Sequence, residues 1–185
     1  IASNSQNGAI VSSSVAFSMT EILEPGLEIS TVQHGCSIAI SPDGQKVAMV
    51  AIRNGQSNLY LRQAGNASWR QIPNTVEAEN PVFSSRSERL YFNDKEGLKA
   101  VSIVDNTIEK ITDQNANGVA SGDGFSVIST GYAAGLSFLD SLNGNEKKLT
   151  TLDYSASDRG DREFAHFWPQ LMPDAKHVIF TSFLA

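Results

Sequence analysis

Apolar residues in this chain come in short bursts. Val47, Met49 and Val50, then Leu90, Tyr91 and Phe92, then Val178, Ile179 and Phe180 are β-branched, aromatic or aliphatic residues in runs too short for helices. Nothing along the sequence keeps a helical apolar period for three turns. Between the bursts lie polar clusters with turn chemistry. In Ser41-Pro42-Asp43-Gly44, proline fixes φ, aspartate bonds back to the backbone and glycine tolerates positive φ. Gly55-Gln56-Ser57-Asn58 and Asn143-Gly144-Asn145 are further hairpin signals. The pattern predicts antiparallel strands joined by tight turns.

The pattern also recurs. SIAISPDGQKVAMVA (37–51), NPVFSSRSERLYFND (80–94), NGVASGDGFSVISTG (117–131) and WPQLMPDAKHVIFTS (168–182) share a short strand, a turn and a more apolar strand. Their turns begin at Ser41, Ser84, Ser121 and Met172, with spacings of 43, 37 and 51 residues. Two further landmarks keep a tighter period. Leu59, Leu98 and Leu136 are 39 and 38 residues apart, and so are Ile72, Ile111 and Leu149. A unit of about 40 residues holding about four antiparallel strands is the size of one β-propeller blade. The expected fold is all-β: a partial propeller of about three and a half four-stranded antiparallel blades. Residues 1–23, rich in Ser, Asn and Gly, read as a flexible leader or linker. Residues 24–185 read as the propeller segment, with units near 37–75, 80–114, 117–153 and 168–185. The charged stretch from Asp153 to Phe167 reads as a long surface loop.

These residues carry a family resemblance. AISPDGQKVAMVA followed by NLYLRQ, the edge ITDQ, and LTTLD…FAHFWPQLMPDAKHVIFTS resemble TolB-like, WD-repeat-like bacterial β-propellers. More narrowly, the chain is similar to the propellers fused to some bacterial Ser/Thr kinases and to membrane-bound winged-helix regulators. His166-Phe167-Trp168-Pro169 fits a His-x-Trp-Pro element of that family, while Ala175 replaces its turn glycine. The resemblance implies a non-catalytic sensory or protein-interaction module of a larger protein, periplasmic or otherwise extracytoplasmic. Its alternative is the propeller part of a prolyl-oligopeptidase-like serine peptidase. Such propellers close with roughly six or more blades. A shorter arc exposes strand edges, which predicts homodimerisation through them or a truncated arc.

Charge and composition narrow the partners. A net charge of −6, with basic residues scattered, excludes a counterion-releasing nucleic-acid surface. No apolar run reaches the roughly 18 residues that span a bilayer, so any membrane anchor lies outside this sequence. Cys36, the single cysteine, reads as a small buried residue in or beside a strand.

The chemical candidates are few. His34, His166 and His177 form no His/Cys cluster, so neither a metal site nor a cofactor is expected. No G-x-S-x-G elbow occurs, and no catalytic residue is assigned. Asp158, Asp161 and Glu163 offer carboxylates for a glycan-processing enzyme, but Arg159 and Arg162 interleave with them as in a self-neutralised loop. In a propeller, residues just before an innermost strand reach the axial face. His34, Glu79, Asn80, Asn117, His166 and Trp168 hold such places and are the candidate binding residues for a protein or small-molecule ligand. Of the two tryptophans, Trp69 is expected to pack between blades, and Trp168 in the core rather than at the channel mouth.

Overall fold

The computed structural model describes residues 23–31, 36–122, 124–140, 145–154, 162–172, 174 and 176–184. Among them every regular element is a β-strand. The proposed leader and His34 lie outside the described residues, apart from Leu23.

Four antiparallel sheets follow one another along the chain. The first comprises β1 (Glu28–Ile29), β2 (Ile38–Ile40), β3 (Lys46–Arg53), β4 (Gln56–Gln63) and β5 (Arg70–Gln71). β1 and β2 lie end to end on one edge of β3, pairing Ile29 with Ala51 and Ile38 with Met49. They are two halves of one inner strand. The second sheet is β6 (Glu79–Phe83), β7 (Arg89–Asp94), β8 (Gly97–Ser102) and β9 (Ile108–Thr112), in sequence order. The third repeats it with β10 (Gly118–Ser121), β11 (Phe125–Ser129), β12 (Leu136–Asp140) and β13 (Glu146–Lys148). The fourth pairs β14 (Glu163–Leu171) with β15 (Val178–Leu184). The strand β14 absorbs the end of the expected 153–167 loop.

Because the first three sheets are covered on both faces, their middle strands are apolar on both sides of the pleat. Leu90 and Phe92 face the first sheet, joining Ala48, Val50, Leu59, Ile72 and Phe83. Tyr91 faces the third sheet, with Leu98, Ala100, Val119, Ile128 and Leu139. Ala120, Val127 and Leu136 then meet Leu171, Val178 and Phe180 of the fourth. The alternation that usually marks a strand is therefore erased in sequence, leaving the short apolar bursts.

The two tryptophans depart from expectation. Trp69 is buried on the face of the first sheet turned away from the second, under Leu27 and beside Met49, Ala51 and Tyr60. The segment before β1 caps that face: Glu24 accepts the Trp69 backbone N–H at 2.6 Å and pairs with Arg53 at 3.0 Å. Trp168 is 53% exposed rather than in the core. Cys36 is exposed, because it sits where β1 gives way to β2 instead of inside a strand.

In each of the first three sheets the backbone N–H of the recurrent leucine is tied to the connection that leaves the sheet, through a threonine hydroxyl or a backbone carbonyl. The N–H of Leu59 donates to Thr75 Oγ1 at 3.0 Å, that of Leu136 to Thr150 Oγ1 at 2.8 Å, and that of Leu98 to the Gln114 carbonyl at 3.1 Å. The leucine period seen in sequence is thus the period of this tie.

Candidate functional site

The first strands of successive sheets, β2, β6, β10 and β14, lie next to one another. Each sheet stands radially outward from them, as in a propeller. At the turn end of these strands is a groove of about 510 Å³. Its walls include Val82, Val119, Leu171 and Met172, and its polar groups come from Ser85, Ser121 and Gln170. Gln170 and Met172 are exposed to it, and the volume falls within the range of small-molecule clefts.

The opposite end holds the candidates that sequence singled out. Asn80 and Trp168 occupy matching bulges, both with positive φ (53° and 51°), both followed by proline, and both at a break in strand register. Asn tolerates that conformation; a bulky Trp before Pro does not adopt it readily. Trp168 is held there by rings: Phe183 at 5.4 Å and Phe167 at 6.0 Å, with Tyr132 and Phe164 extending the cluster.

Asn117, His166 and Trp168 converge at the junction of the third and fourth sheets. The Asn117 N–H donates to the Ser129 carbonyl at 2.6 Å, and Ser129 Oγ donates to the His166 carbonyl at 2.6 Å. Gly118 permits this approach: a Cβ there would lie 2.8 Å from Pro169 Cδ and 3.0 Å from Trp168 Cα. Glu79 and Asn80 instead begin β6, at the inner edge of the second sheet. The candidates therefore form two groups.

His166 is buried and makes the most specific contacts. Its Nδ1 is 2.7 Å from Thr150 Oγ1, and its Nε2 is 3.2 Å from Glu163 Oε2, at an angle too bent for a hydrogen bond. The imidazole also packs against Phe180, with ring centres 4.6 Å apart. A carboxylate facing Nε2 favours the proton there, which leaves neutral Nδ1 to accept from the Thr150 hydroxyl. Glu163 accepts the Asp153 N–H at 2.7 Å and the Ser182 hydroxyl at 2.8 Å, which hold its carboxyl below its ordinary pKa despite partial burial. Asp158, Arg159 and Asp161 lie outside the described residues. Among the described residues no group of three or more His, Cys, Asp or Glu is placed to hold a metal ion.

Sequence reasoning missed the groove and the aromatic cluster. Ser85, Ser121 and Met172 sit in or beside the recurring turn, so the turn alignment already carried their shared location. Tyr132, Phe164 and Phe183 carried no such signal.

No protein-family model and no curated protein sequence matches the chain. Solved structures do. TolB from Acinetobacter baumannii superposes with a TM-score of 0.61 at 17% identity, over 78% of this chain and 37% of that one. Hydrazine synthase of Kuenenia stuttgartiensis gives 0.57 at 16% identity, over 82% and 43%. An auxiliary nutrient binding protein from Bacteroides thetaiotaomicron gives 0.55 at 11% identity, over 80% and 36%. The chain thus spans less than half the length of each of these three. The fold is a TolB-like β-propeller arc.

Proposed function

We propose that this chain is a non-catalytic binding propeller, part of a larger bacterial protein outside the cytoplasm, with its ligand seated in the axial groove. The observation that carries the reading is the groove itself, where three inner strands present Val82, Val119 and Leu171 as walls and Ser85, Ser121 and Gln170 as polar anchors. A protein segment or a small molecule fits that mixture.

Among the described residues, the one arrangement that resembles catalytic chemistry supports a structural role. Thr150, His166 and Glu163 line up as hydroxyl, imidazole and carboxylate. Yet His166 is 3% exposed, the Thr150 oxygen already accepts the Leu136 N–H, and a nucleophile needs an open approach. The alignment is a joint between the third and fourth sheets. Binding-fold neighbours and enzyme neighbours share this architecture, so the site rather than the fold decides.

The test is a peptide array and an oligosaccharide panel, with binders ranked by affinity for the chain and for Gln170→Trp and Met172→Arg. Both substitutions fill the groove from exposed positions. The expected result is at least about tenfold weaker binding, with Val104→Ser on the outer surface of the second sheet unchanged. A panel without binders, or binders indifferent to both groove variants, sinks the proposal.

A further inference from the structure

We infer that the occupant of the axial groove is a protein segment in extended conformation, uncharged where it meets the groove and seated by one branched aliphatic side chain. The inference rests on the groove reading and names its ligand class. Charge is the first discriminator. Among the described residues no charged side chain lines the groove. Two acids in the adjoining turns, Asp43 and Asp174, are held by Lys46 and His177 of their own turns. A carboxylate, phosphate or ammonium group entering the groove would shed water without gaining a partner.

The walls also separate peptides from sugars. Sugar rings stack on open aromatic faces, and the only ring lining the groove among the described residues, Phe83, is 5% exposed. The other apolar walls are aliphatic: Pro42, Val82, Val119 and Leu171. Met172 joins them with a flexible thioether that adapts its shape to an aliphatic partner. Such walls suit a Val, Ile or Leu side chain.

Strand register supplies the backbone partners. The Ser84 N–H donates to the Arg89 carbonyl at 2.9 Å, that of Gly122 to Phe125 at 3.0 Å and that of Met172 to His177 at 2.8 Å. Hydrogen-bonded positions recur every second residue back along β6, β10 and β14. The positions between them, Phe83, Val119, Ser121 and Leu171, direct their N–H and C=O away from the second strand of each sheet. All four line the groove. β6, β10 and β14 are each the inner strand at the end of a sheet, so the same edge faces the axis in the second and third sheets as in the fourth. Gln170 adds an exposed carboxamide, which donates and accepts at once as a peptide group does. Main-chain bonds then give affinity, and the aliphatic walls give specificity.

The test compares three kinds of ligand on the whole chain: uncharged peptides carrying a single Val, Ile or Leu, the same peptides with Lys or Asp in its place, and neutral and acidic oligosaccharides. The tightest groove-dependent binder should be an uncharged aliphatic peptide. Replacing its aliphatic residue by Lys or Asp should weaken it at least about tenfold. Its dissociation constant should move less than about twofold between roughly 0.05 M and about 0.5 M salt. Methylating the peptide's backbone nitrogens in turn should weaken binding about fivefold at one or more positions, and Gln170→Leu should do the same. A groove-dependent oligosaccharide, or a peptide whose binding needs its charge and fades with salt, overturns this inference and leaves the groove reading standing. So does an uncharged peptide indifferent to every backbone methylation. Binders that ignore both Gln170→Trp and Met172→Arg, or no binders at all, remove both readings.

Discussion

Asn93 ties its strand to the connection that follows the second sheet. Its Nδ2 donates to the Ala116 carbonyl at 2.7 Å, and its Oδ1 accepts the Ala116 N–H at 3.0 Å. Both ends of that backbone group are buried. Asn93→Ala should therefore cost about 2–4 kcal/mol in urea unfolding, because it strands a donor and an acceptor away from water. A loss below about 0.5 kcal/mol would show that water reaches the site. Asp43 offers a different test. The Ser41 hydroxyl at 2.5 Å, then the Gln45 N–H and Lys46 at 2.9 Å, hold its carboxyl far below its ordinary value of 3.8. A depressed folded-state value means that its stabilisation is present above 3.8 and is lost as pH falls toward the folded value. The melting-temperature gap between the native chain and Asp43→Asn should be full at pH 6 and narrow progressively below pH 3.8. A gap independent of pH would contradict this. The turn role of Asp43 was legible in sequence, because Pro-Asp-Gly announces it. The exposure of Trp168 and Cys36 was not: both depend on a bulge or a strand break, and neither leaves a mark in composition.

Glycines before the recurrent leucines show how tightly an element closes on itself. A Cβ at Gly135 would lie 2.2 Å from the Thr150 carbonyl oxygen, and one at Gly97 would lie 2.3 Å from that of Thr112. Gly97 also has φ of 118°. Gly135→Ala should destabilise by about 1–3 kcal/mol through overpacking. Gly97→Ala should cost more, since backbone strain of about 1–3 kcal/mol adds to the clash. Equal and negligible effects would show that the outer connections yield freely. The element level was the most legible in sequence. The 39- and 38-residue leucine spacing gave the repeat, and the backbone ties of Leu59, Leu98 and Leu136 are its physical content. Less legible was the start of β14. Glu163–Phe167 looks like charged loop because Glu163 is spent on Asp153, Ser182 and His166, contacts with sequence neighbours and a later strand.

At the scale of the molecule, successive sheets meet through apolar seams and converge on a shared inner edge. The arrangement gives the chain two axial ends of different character. One has the groove with its serines and Gln170; the other has Trp168 in its ring of aromatics. Sequence placed the candidates at the second end because residues before an inner strand are easy to align. The groove needs three strands from separate repeats at once, which only the assembled fold supplies. The most direct measurement is an amide chemical-shift map of the isotopically labelled chain, titrated with the strongest binder from the peptide and oligosaccharide panels. The account predicts shifts gathered at Val82, Ser85, Val119–Ser121 and Gln170–Met172. Shifts concentrated on the outer strands β5, β9 and β13, with the inner strands silent, would contradict it.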